Sequence, residues 1–239
     1  MSGNRKQIYL QHKNYNMRFI EELFNIIAPH LCISCQKEGD LICYDCRMLM
    51  ASPPPRCYVC GRWSDGFRTC PSCRRRTSIH SLWTTATYEG AAKELVHRLK
   101  FERARAAAVP MADMLAAVLQ EIDTGTMVLV PLPTATSRVR ERGYDQATLI
   151  ARELSRRLAI PLVPCLARQG QQRQVGSRRS ERKTQMAEAF RVVGHRGFLN
   201  KHVLLVDDVL TTGATCEAAA RLLRHAGAKR VSAAVFAVA

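Results

Sequence analysis

The chain has 239 residues, of which 36 are Lys or Arg and 20 are Asp or Glu, so its formal net charge is +16. An apolar content of 47% with 23% charged residues excludes a wholly disordered chain and a fibrous one. No apolar run approaches the ~20 residues that a membrane helix needs, and the most apolar N-terminal stretch carries Glu21 and Glu22. We therefore expect a cytoplasmic protein without membrane insertion, whose positive charge favours anionic partners such as nucleic acids, nucleotides or other phosphates.

The first predicted element is an amphipathic helix within residues 1–30. Its apolar side chains recur at helical spacing and precede Pro29, where the helix is expected to end: Met17, Ile20, Leu23, Phe24 and Ile27. Such a helix either binds a partner or packs on its own protein, and the second is more common.

Eight of the ten cysteines lie between residues 32 and 73, in four Cys-x-x-Cys pairs. Two such pairs supply the four sulfurs of a tetrahedral zinc site, so four pairs fit two closed structural sites. A disulfide framework is the alternative, but it needs an oxidising compartment, and the sequence offers no export signal. The pairs combine either in sequence order, which the short loops favour, or interleaved. We predict a double zinc ribbon at residues 31–78 with these ligands: Cys32, Cys35, Cys43, Cys46, Cys57, Cys60, Cys70 and Cys73.

Strands and helices alternate from Leu82 onward, which predicts an α/β domain with a parallel sheet at residues 79–239. The predicted strands cover 82–88, 127–130, 160–163, 203–206 and 231–238, and the predicted helices cover 91–100, 104–120, 144–159 and 215–226.

One stretch of the domain, residues 168–191, is rich in Arg and Gln and shows no apolar periodicity at first. It is either a basic flap over an anionic ligand or a surface insertion. It belongs to a basic region, because residues 138–191 hold thirteen Lys or Arg and five Asp or Glu, a net charge of +8.

The junction after the predicted strand 203–206 carries the most informative chemistry. Asp207 and Asp208 come at the carboxyl end of this strand, where ligands bind in open α/β sheets. The next residues lead into a helix, and their amides can surround a phosphate at its N-terminus: Thr211, Thr212, Gly213, Ala214 and Thr215. The two acids suit a pair of ribose hydroxyls or hydrated Mg²⁺. The set fits a ribose 5-phosphate, whereas an ordinary capped junction explains only one threonine.

This junction resembles the PRPP-binding motif of type I phosphoribosyltransferases. Together with the four cysteine pairs, residues 30–239 resemble the ComF family, a double zinc ribbon joined to a phosphoribosyltransferase-like domain. Further segments resemble motifs of that family: Y-E-G at 88–90, L-K-F at 99–101, V-P-x-P at 130–133, R-x-R-G-[FY]-N-Q-A at 140–147 and Q-x-G-x-x-x-x-E-R at 174–182. Two positions depart from the family pattern, since Asp145 stands where Asn is usual and residues 134–136 replace a position that His often holds.

The resemblance implies a reaction in which a nitrogen nucleophile displaces Mg²⁺-bound pyrophosphate from C1 of PRPP. It assigns the ribose hydroxyls to Asp207 and Asp208 and the 5-phosphate to residues 211–215, and it places Lys100 near the reacting groups. The residues that would face pyrophosphate are Thr134, Arg138, Arg140 and Arg142.

The resemblance further implies a role in DNA uptake during natural transformation, with single-stranded DNA and competence proteins as partners. Three functions follow. The chain is a PRPP-dependent glycosyltransferase with an unknown acceptor, a module that handles single-stranded DNA, or a PRPP or nucleotide sensor without turnover.

Overall fold

The computed structural model describes residues 30–120, 122–169, 189–194 and 197–239. The predicted N-terminal helix lies outside the described residues, and so does most of the stretch 168–191. The chain divides into two compact units, Met1–Leu49 and Met50–Ala239. The second unit includes part of the proposed zinc ribbon, whose borders at residues 31 and 78 stay predictions.

The described part of the first unit is a small knuckle. Strands β1 (His30–Leu31) and β2 (Glu38–Gly39) pair antiparallel, and helix α1 (Tyr44–Met48) follows them. Only a few of its described side chains are buried: Cys32, Leu41 and Ile42. Elements this short bury too little apolar surface to hold together by packing alone.

A parallel sheet forms the centre of the second unit. Its strands stand in the order β3 (Leu82–Thr87), β8 (Arg230–Val238), β7 (His202–Leu210) and β4 (Met127–Pro131). Two shorter strands, β5 (Leu166–Arg168) and β6 (Phe190–Val192), pair antiparallel apart from this sheet. The predicted parallel α/β class is therefore confirmed.

Residues 160–163, which the sequence predicts to be a strand, extend the sheet only briefly. Leu162 forms one parallel bridge to Leu129, whose N–H donates to the Pro161 oxygen at 2.8 Å. The Val163 N–H donates to the Leu129 oxygen, also at 2.8 Å. Proline has no N–H to donate, so Pro161 and Pro164 on either side prevent a longer ladder.

Helices cover both faces of the sheet: α2 (Gly90–Phe101), α3 (Ala108–Leu119), α4 (Thr136–Arg142), α5 (Gln146–Leu158) and α6 (Ala214–His225). Val203 and Leu205 of β7 belong to one buried cluster with Leu223 of α6. Leu204, at the alternate position, is fully buried where α3 and α5 pack together and α5 packs on β7. No helix among the described residues has both the length and the apolar character for crossing a membrane.

One helix begins later than the sequence predicts, and one further helix is not predicted from the sequence. The helix predicted at 104–120 begins only at Ala108, after a 3-10 turn at Arg105–Ala107, so that Pro110 lies in its first turn, where the missing N–H costs nothing. Helix α4 was not predicted at all, because Val139 is the only apolar residue among its seven.

Candidate phosphoribosyl site and cysteine clusters

The two predicted acids lie within the carboxyl end of β7 rather than after it, because the strand continues to Leu210. The Asp208 side chain is buried and 5% exposed, whereas Asp207 is half-buried. Asp207 Oδ1 accepts a hydrogen bond from the Asp208 N–H at 2.9 Å. Neighbouring residues of a strand point to opposite faces, so the two carboxylates meet different surroundings.

Lys100, at the end of α2, neutralises the buried carboxylate. Its Nζ lies 2.9 Å from Asp208 Oδ2. This oxygen is buried and accepts no hydrogen bond from the described residues, so the lysine contact is an ion pair without hydrogen-bond alignment. A buried carboxylate oxygen with spare accepting capacity suits a hydroxyl or cation that enters the site. The structure thus brings together two residues that were predicted to act in one site.

Asp207 holds its proton more tightly than an ordinary aspartic acid. Burial and the nearby charge of Asp208 raise its pKa to about 8. The two carboxylates therefore resist carrying negative charge at the same time. Hydroxyl donors or a divalent cation would stabilise the ionised form.

Three consecutive residues at the end of α2 join separate parts of the site. The Leu99 carbonyl accepts a hydrogen bond from the Tyr144 hydroxyl, and Lys100 pairs with Asp208. The Phe101 ring lies 5.3 Å from the Arg142 guanidinium carbon. The L-K-F and R-G-Y segments, far apart in sequence, are thereby held beside β7.

The loop at residues 211–215 leads from β7 into α6, as predicted. Gly213 is the residue before the helix and has a left-handed backbone (φ +73°), which glycine adopts without strain. Thr211, Thr212 and Ala214 are exposed, so a phosphate can reach this loop, where the Ala214 N–H donates to Thr212 Oγ1 at 3.4 Å. Successive N–H groups at the start of a twelve-residue helix favour an anion there.

The segment after β4, predicted to face pyrophosphate, is organised by Asp145. One carboxylate oxygen accepts the Thr134 N–H at 2.7 Å, and the other accepts the Thr148 N–H at 2.8 Å as the cap of α5. The departure from the family's usual Asn is therefore explained, because an amide side chain offers only one accepting oxygen.

The three arginines of α4 are not equivalent. Arg142 is 9% exposed, and its guanidinium donates to Gln146 Oε1 at 3.0 Å. Arg138 and Arg140 are exposed, and residues two apart on a helix do not share a face. A single anion therefore does not meet all three from one side of this helix.

The eight clustered cysteines converge in two groups of four, each combining two consecutive pairs. The first cluster is Cys32, Cys35, Cys43 and Cys46, and the second cluster is Cys57, Cys60, Cys70 and Cys73. Sulfurs of different pairs lie 3.7 Å apart in both, between Cys35 and Cys43 and between Cys60 and Cys70. A tetrahedral metal with sulfur at about 2.3 Å sets its ligands roughly 3.8 Å apart. Both clusters therefore fit a four-coordinate metal, in the sequence order that the loop lengths favoured.

Two residues of this region were missed by sequence reasoning, Tyr58 and Glu217. The Tyr58 hydroxyl, from the second cluster, donates to Glu217 Oε2 at 3.1 Å, in the first turn of α6. Their positions are 159 residues apart, so no local pattern indicates the contact. The one available signal is the repeated Cys-Tyr-x-Cys spacing at 43–46 and 57–60.

Known proteins resemble the chain in both regions. Residues 144–238 match the family model described as "Phosphoribosyl transferase domain". The chain is 29% identical over 200 residues to "Competence protein ComFC" of Bacillus subtilis, covering 80% of this chain and 81% of that protein. It is 34% identical over 106 residues to "Competence protein F" of Haemophilus influenzae, covering 43% and 46%. It is 29% identical over 216 residues to "DNA utilization protein YhgH" of Escherichia coli, covering 80% and 93%.

These likenesses extend over most of the chain, and two of the three relatives are matched over more than four fifths of their own length. The phosphoribosyl transferase match covers β7, the 211–215 loop and α6. Ahead of it stand the two four-cysteine clusters. That combination on one chain fits the ComF family.

Proposed function

We propose that the chain binds PRPP, or a related phosphorylated ribose, with Mg²⁺ at the carboxyl end of β7. The observation that carries this proposal is local. Two carboxylates and a helix N-terminus with exposed residues follow one another within Asp207–Thr215, in a region that matches the phosphoribosyl transferase domain. The amides of the 211–215 loop would hold the 5-phosphate, and the carboxylates would accept from the ribose hydroxyls.

The donor set at β7 suits Mg²⁺. Asp208 Oδ2 has no hydrogen bond from the described residues, and burial beside Asp208 raises the pKa of Asp207 to about 8. Oxygen ligands of this kind, with retained water, are what Mg²⁺ prefers. When bound, the ion supplies positive charge that neutralises a pyrophosphate leaving group.

Lys100 would change partners when the sugar binds. It lies against Asp208 at 2.9 Å, so ribose hydroxyls that take this carboxylate would displace the ammonium. The freed charge is then available to the pyrophosphate side. Arg138 or Arg140, which are exposed on different faces of α4, would add to it, whereas the Thr134 amide is held by Asp145.

Zinc is the metal we propose for both cysteine clusters. Four thiolates complete its tetrahedral coordination and leave no position open for a substrate, so the role would be structural.

The biological setting that we propose is DNA uptake in natural competence, in the cytoplasm. Relatives over most of the chain carry the names "Competence protein ComFC" and "DNA utilization protein YhgH". Competence proteins would accordingly be partners of this chain.

Direct binding of single-stranded DNA is a second candidate function, favoured by the surface near the second cluster. Trp63 is 74% exposed there and pairs with Arg56 in a short bridge, and Arg62 precedes it. Exposed aromatic rings stack on bases, and arginines neutralise the backbone phosphates. Affinity for an oligonucleotide that falls with salt, and falls further in Trp63→Ala, is the expected sign of this function.

Titration of the full chain with PRPP, with and without Mg²⁺, tests the main proposal. We expect PRPP with Mg²⁺ to stabilise the folded chain, by about 2.7 kcal/mol at a hundredfold excess over Kd, and Asp207→Asn with Asp208→Asn to abolish this. Pyrophosphate release with an acceptor base would indicate a glycosyltransferase, and binding without release would indicate a sensor. If PRPP does not stabilise the wild-type chain either with or without Mg²⁺, the proposal is wrong.

A further inference from the structure

The second cysteine cluster contacts the 211–215 loop directly. Tyr58 lies between Cys57 and Cys60, and its ring packs on Gly213. A Cβ atom placed on Gly213 would lie 3.3 Å from Tyr58 Cε2 and 3.5 Å from Cδ2. The shorter of these distances is tighter than ordinary contact, so the missing side chain of Gly213 helps the ring to approach. The backbone of the loop is therefore in contact with Tyr58, which lies between two cysteines of the second cluster.

The same cluster also holds the first turn of α6. Glu217 accepts hydrogen bonds from the Tyr58 hydroxyl at 3.1 Å, from the Thr77 hydroxyl at 2.5 Å and from the Ser78 N–H at 3.0 Å. The Tyr58 and Thr77 hydroxyls also lie within hydrogen-bond distance of each other, so the single Tyr58 hydroxyl proton is shared between Thr77 Oγ1 and Glu217 Oε2. The Glu217 N–H, in turn, donates to the Gly213 oxygen at 2.9 Å. A residue between two of the cysteines and the segment just after the last cysteine therefore meet at one carboxylate.

The contacts of Glu217 also affect the negative charge in the first turn of α6. An unpaired carboxylate in the first turn of α6 would repel a phosphate bound at that N-terminus. Three donors from the cluster side engage Glu217, and Arg221 lies 3.6 Å from its Oε1. The negative charge of Glu217 is consequently compensated by these contacts.

We propose that Tyr58 is a positioning residue for the sugar-phosphate site, so that metal binding at the second cluster and phosphate binding at the 211–215 loop are linked. A loaded cluster fixes Tyr58 against Gly213 and fixes residues 77–78 against Glu217. Such a link is reciprocal, because each ligand favours the same arrangement of the loop. The inference rests on the proposed function of the loop.

The chain contains its own control for this proposal. Tyr44 occupies the same position in the first cluster that Tyr58 occupies in the second, one residue after a cysteine of a Cys-Tyr-x-Cys pair. Tyr44 is 63% exposed. Its removal deletes the same side chain from the same motif without touching Gly213.

The experiment compares Tyr58→Ala, Tyr58→Phe and Tyr44→Ala in the full zinc-loaded chain. Three quantities are measured: bound zinc, the Kd for ribose 5-phosphate, and amide hydrogen exchange in residues 211–217. We expect Tyr58→Ala to raise the Kd about tenfold, in line with typical coupling between sites, and to speed exchange in 211–217 with two zinc ions retained. Tyr58→Phe keeps the ring contact and should show a smaller effect, and Tyr44→Ala should match the wild type.

A second pair of variants separates linkage from a general loss of structure. Cys60→Ser with Cys70→Ser disables the second cluster, and Cys35→Ser with Cys43→Ser disables the first. We expect Cys60→Ser with Cys70→Ser to weaken ribose 5-phosphate binding and Cys35→Ser with Cys43→Ser to leave it unchanged. We expect Tyr58→Ala to weaken binding little further when it is added to Cys60→Ser with Cys70→Ser. Equal effects of the two pairs, or additive effects of Tyr58→Ala, would overturn the proposal.

The exchange measurement keeps the two proposals apart. If the wild type does not bind ribose 5-phosphate, the proposed function fails, and exchange in 211–217 alone decides whether Tyr58 positions the loop. Unchanged exchange in both Tyr58→Ala and Tyr58→Phe overturns the positioning role. If Tyr58→Ala does not fold, Tyr58→Phe and Glu217→Gln still test the hydroxyl contacts by the same measurement.

Discussion

Asp145 shows how one residue both departs from a family pattern and fits its own surroundings. Its two carboxylate oxygens accept from the Thr134 and Thr148 amides, at 2.7 and 2.8 Å. The acid thereby ties the segment after β4 to the start of α5. Its negative charge is engaged by two backbone donors, which reduces the repulsion that an unpaired acid near pyrophosphate would cause.

We predict that Asp145→Asn lowers the free energy of unfolding by about 1 kcal/mol, and Asp145→Ala by about 2 kcal/mol. Asn can still cap α5 through its one oxygen but leaves the half-buried Thr134 amide without its acceptor, whereas Ala loses both bonds. Urea denaturation of the two variants and the wild type measures this. Equal losses in both variants, or no loss in Asp145→Asn, would show that the Thr134 bond does not contribute.

At the scale of elements, the sequence predicts best where the chemistry and the strand or helix are contiguous. The β7–loop–α6 unit was recognised because Asp207, Asp208 and residues 211–215 follow one apolar strand. Helix α4 was missed because charge and polar residues obscure its periodicity, and its end is set by Gly143 in a left-handed conformation (φ +82°). The contacts of Lys100 with Asp208 and of Tyr58 with Glu217 join distant segments. The family resemblance already placed Lys100 near this site, whereas only the fold reveals the contact of Tyr58 with Glu217.

The start of β7 carries a titratable group whose effect on stability has a definite sign. Burial, and then the charge of Arg230 on the adjacent strand, lowers the pKa of His202 to about 4. Its Nε2 lies 2.9 Å from Ser232 Oγ on β8. An unfolded chain binds a proton on this histidine below about pH 6.5, whereas the folded chain binds it only near pH 4. Stability is therefore full above pH 6.5 and falls as the pH drops towards 4.

We predict that the free energy of unfolding of the wild type falls, relative to His202→Gln, by on the order of 1 kcal/mol between pH 7 and pH 5. This is below the full linkage value, because the side chain is partly exposed to screening solvent. Gln keeps a neutral hydrogen-bonding group beside Ser232 and does not titrate. His80, which also faces this region and has a lowered pKa, is present in both proteins and cancels in the comparison. Parallel pH profiles for the two proteins would contradict the assignment.

At the scale of the whole molecule, the two compact units differ in how much apolar core holds them together. The described residues of the first unit bury little besides Cys32, Leu41 and Ile42. The second unit contains the sheet and its covering helices, with a core that includes the fully buried Leu204 and Phe236. A unit with a large apolar core remains folded without metal, and one without such a core does not.

Removal of zinc from the reduced protein should therefore unfold the molecule only in part. We expect a strong chelator to abolish amide protection in residues 30–49 and to loosen residues 56–78, while the sheet strands and the helices α2, α3, α5 and α6 keep their protection. The far-ultraviolet circular dichroism should change little, since those elements hold most of the described helix and strand. Re-addition of two equivalents of zinc per chain provides the control and should restore protection in both clusters. Loss of protection throughout the sheet would instead mean that the whole second unit needs the second cluster in order to stay folded. The contact between Tyr58 and Glu217 would then be required for α6 to pack on β7.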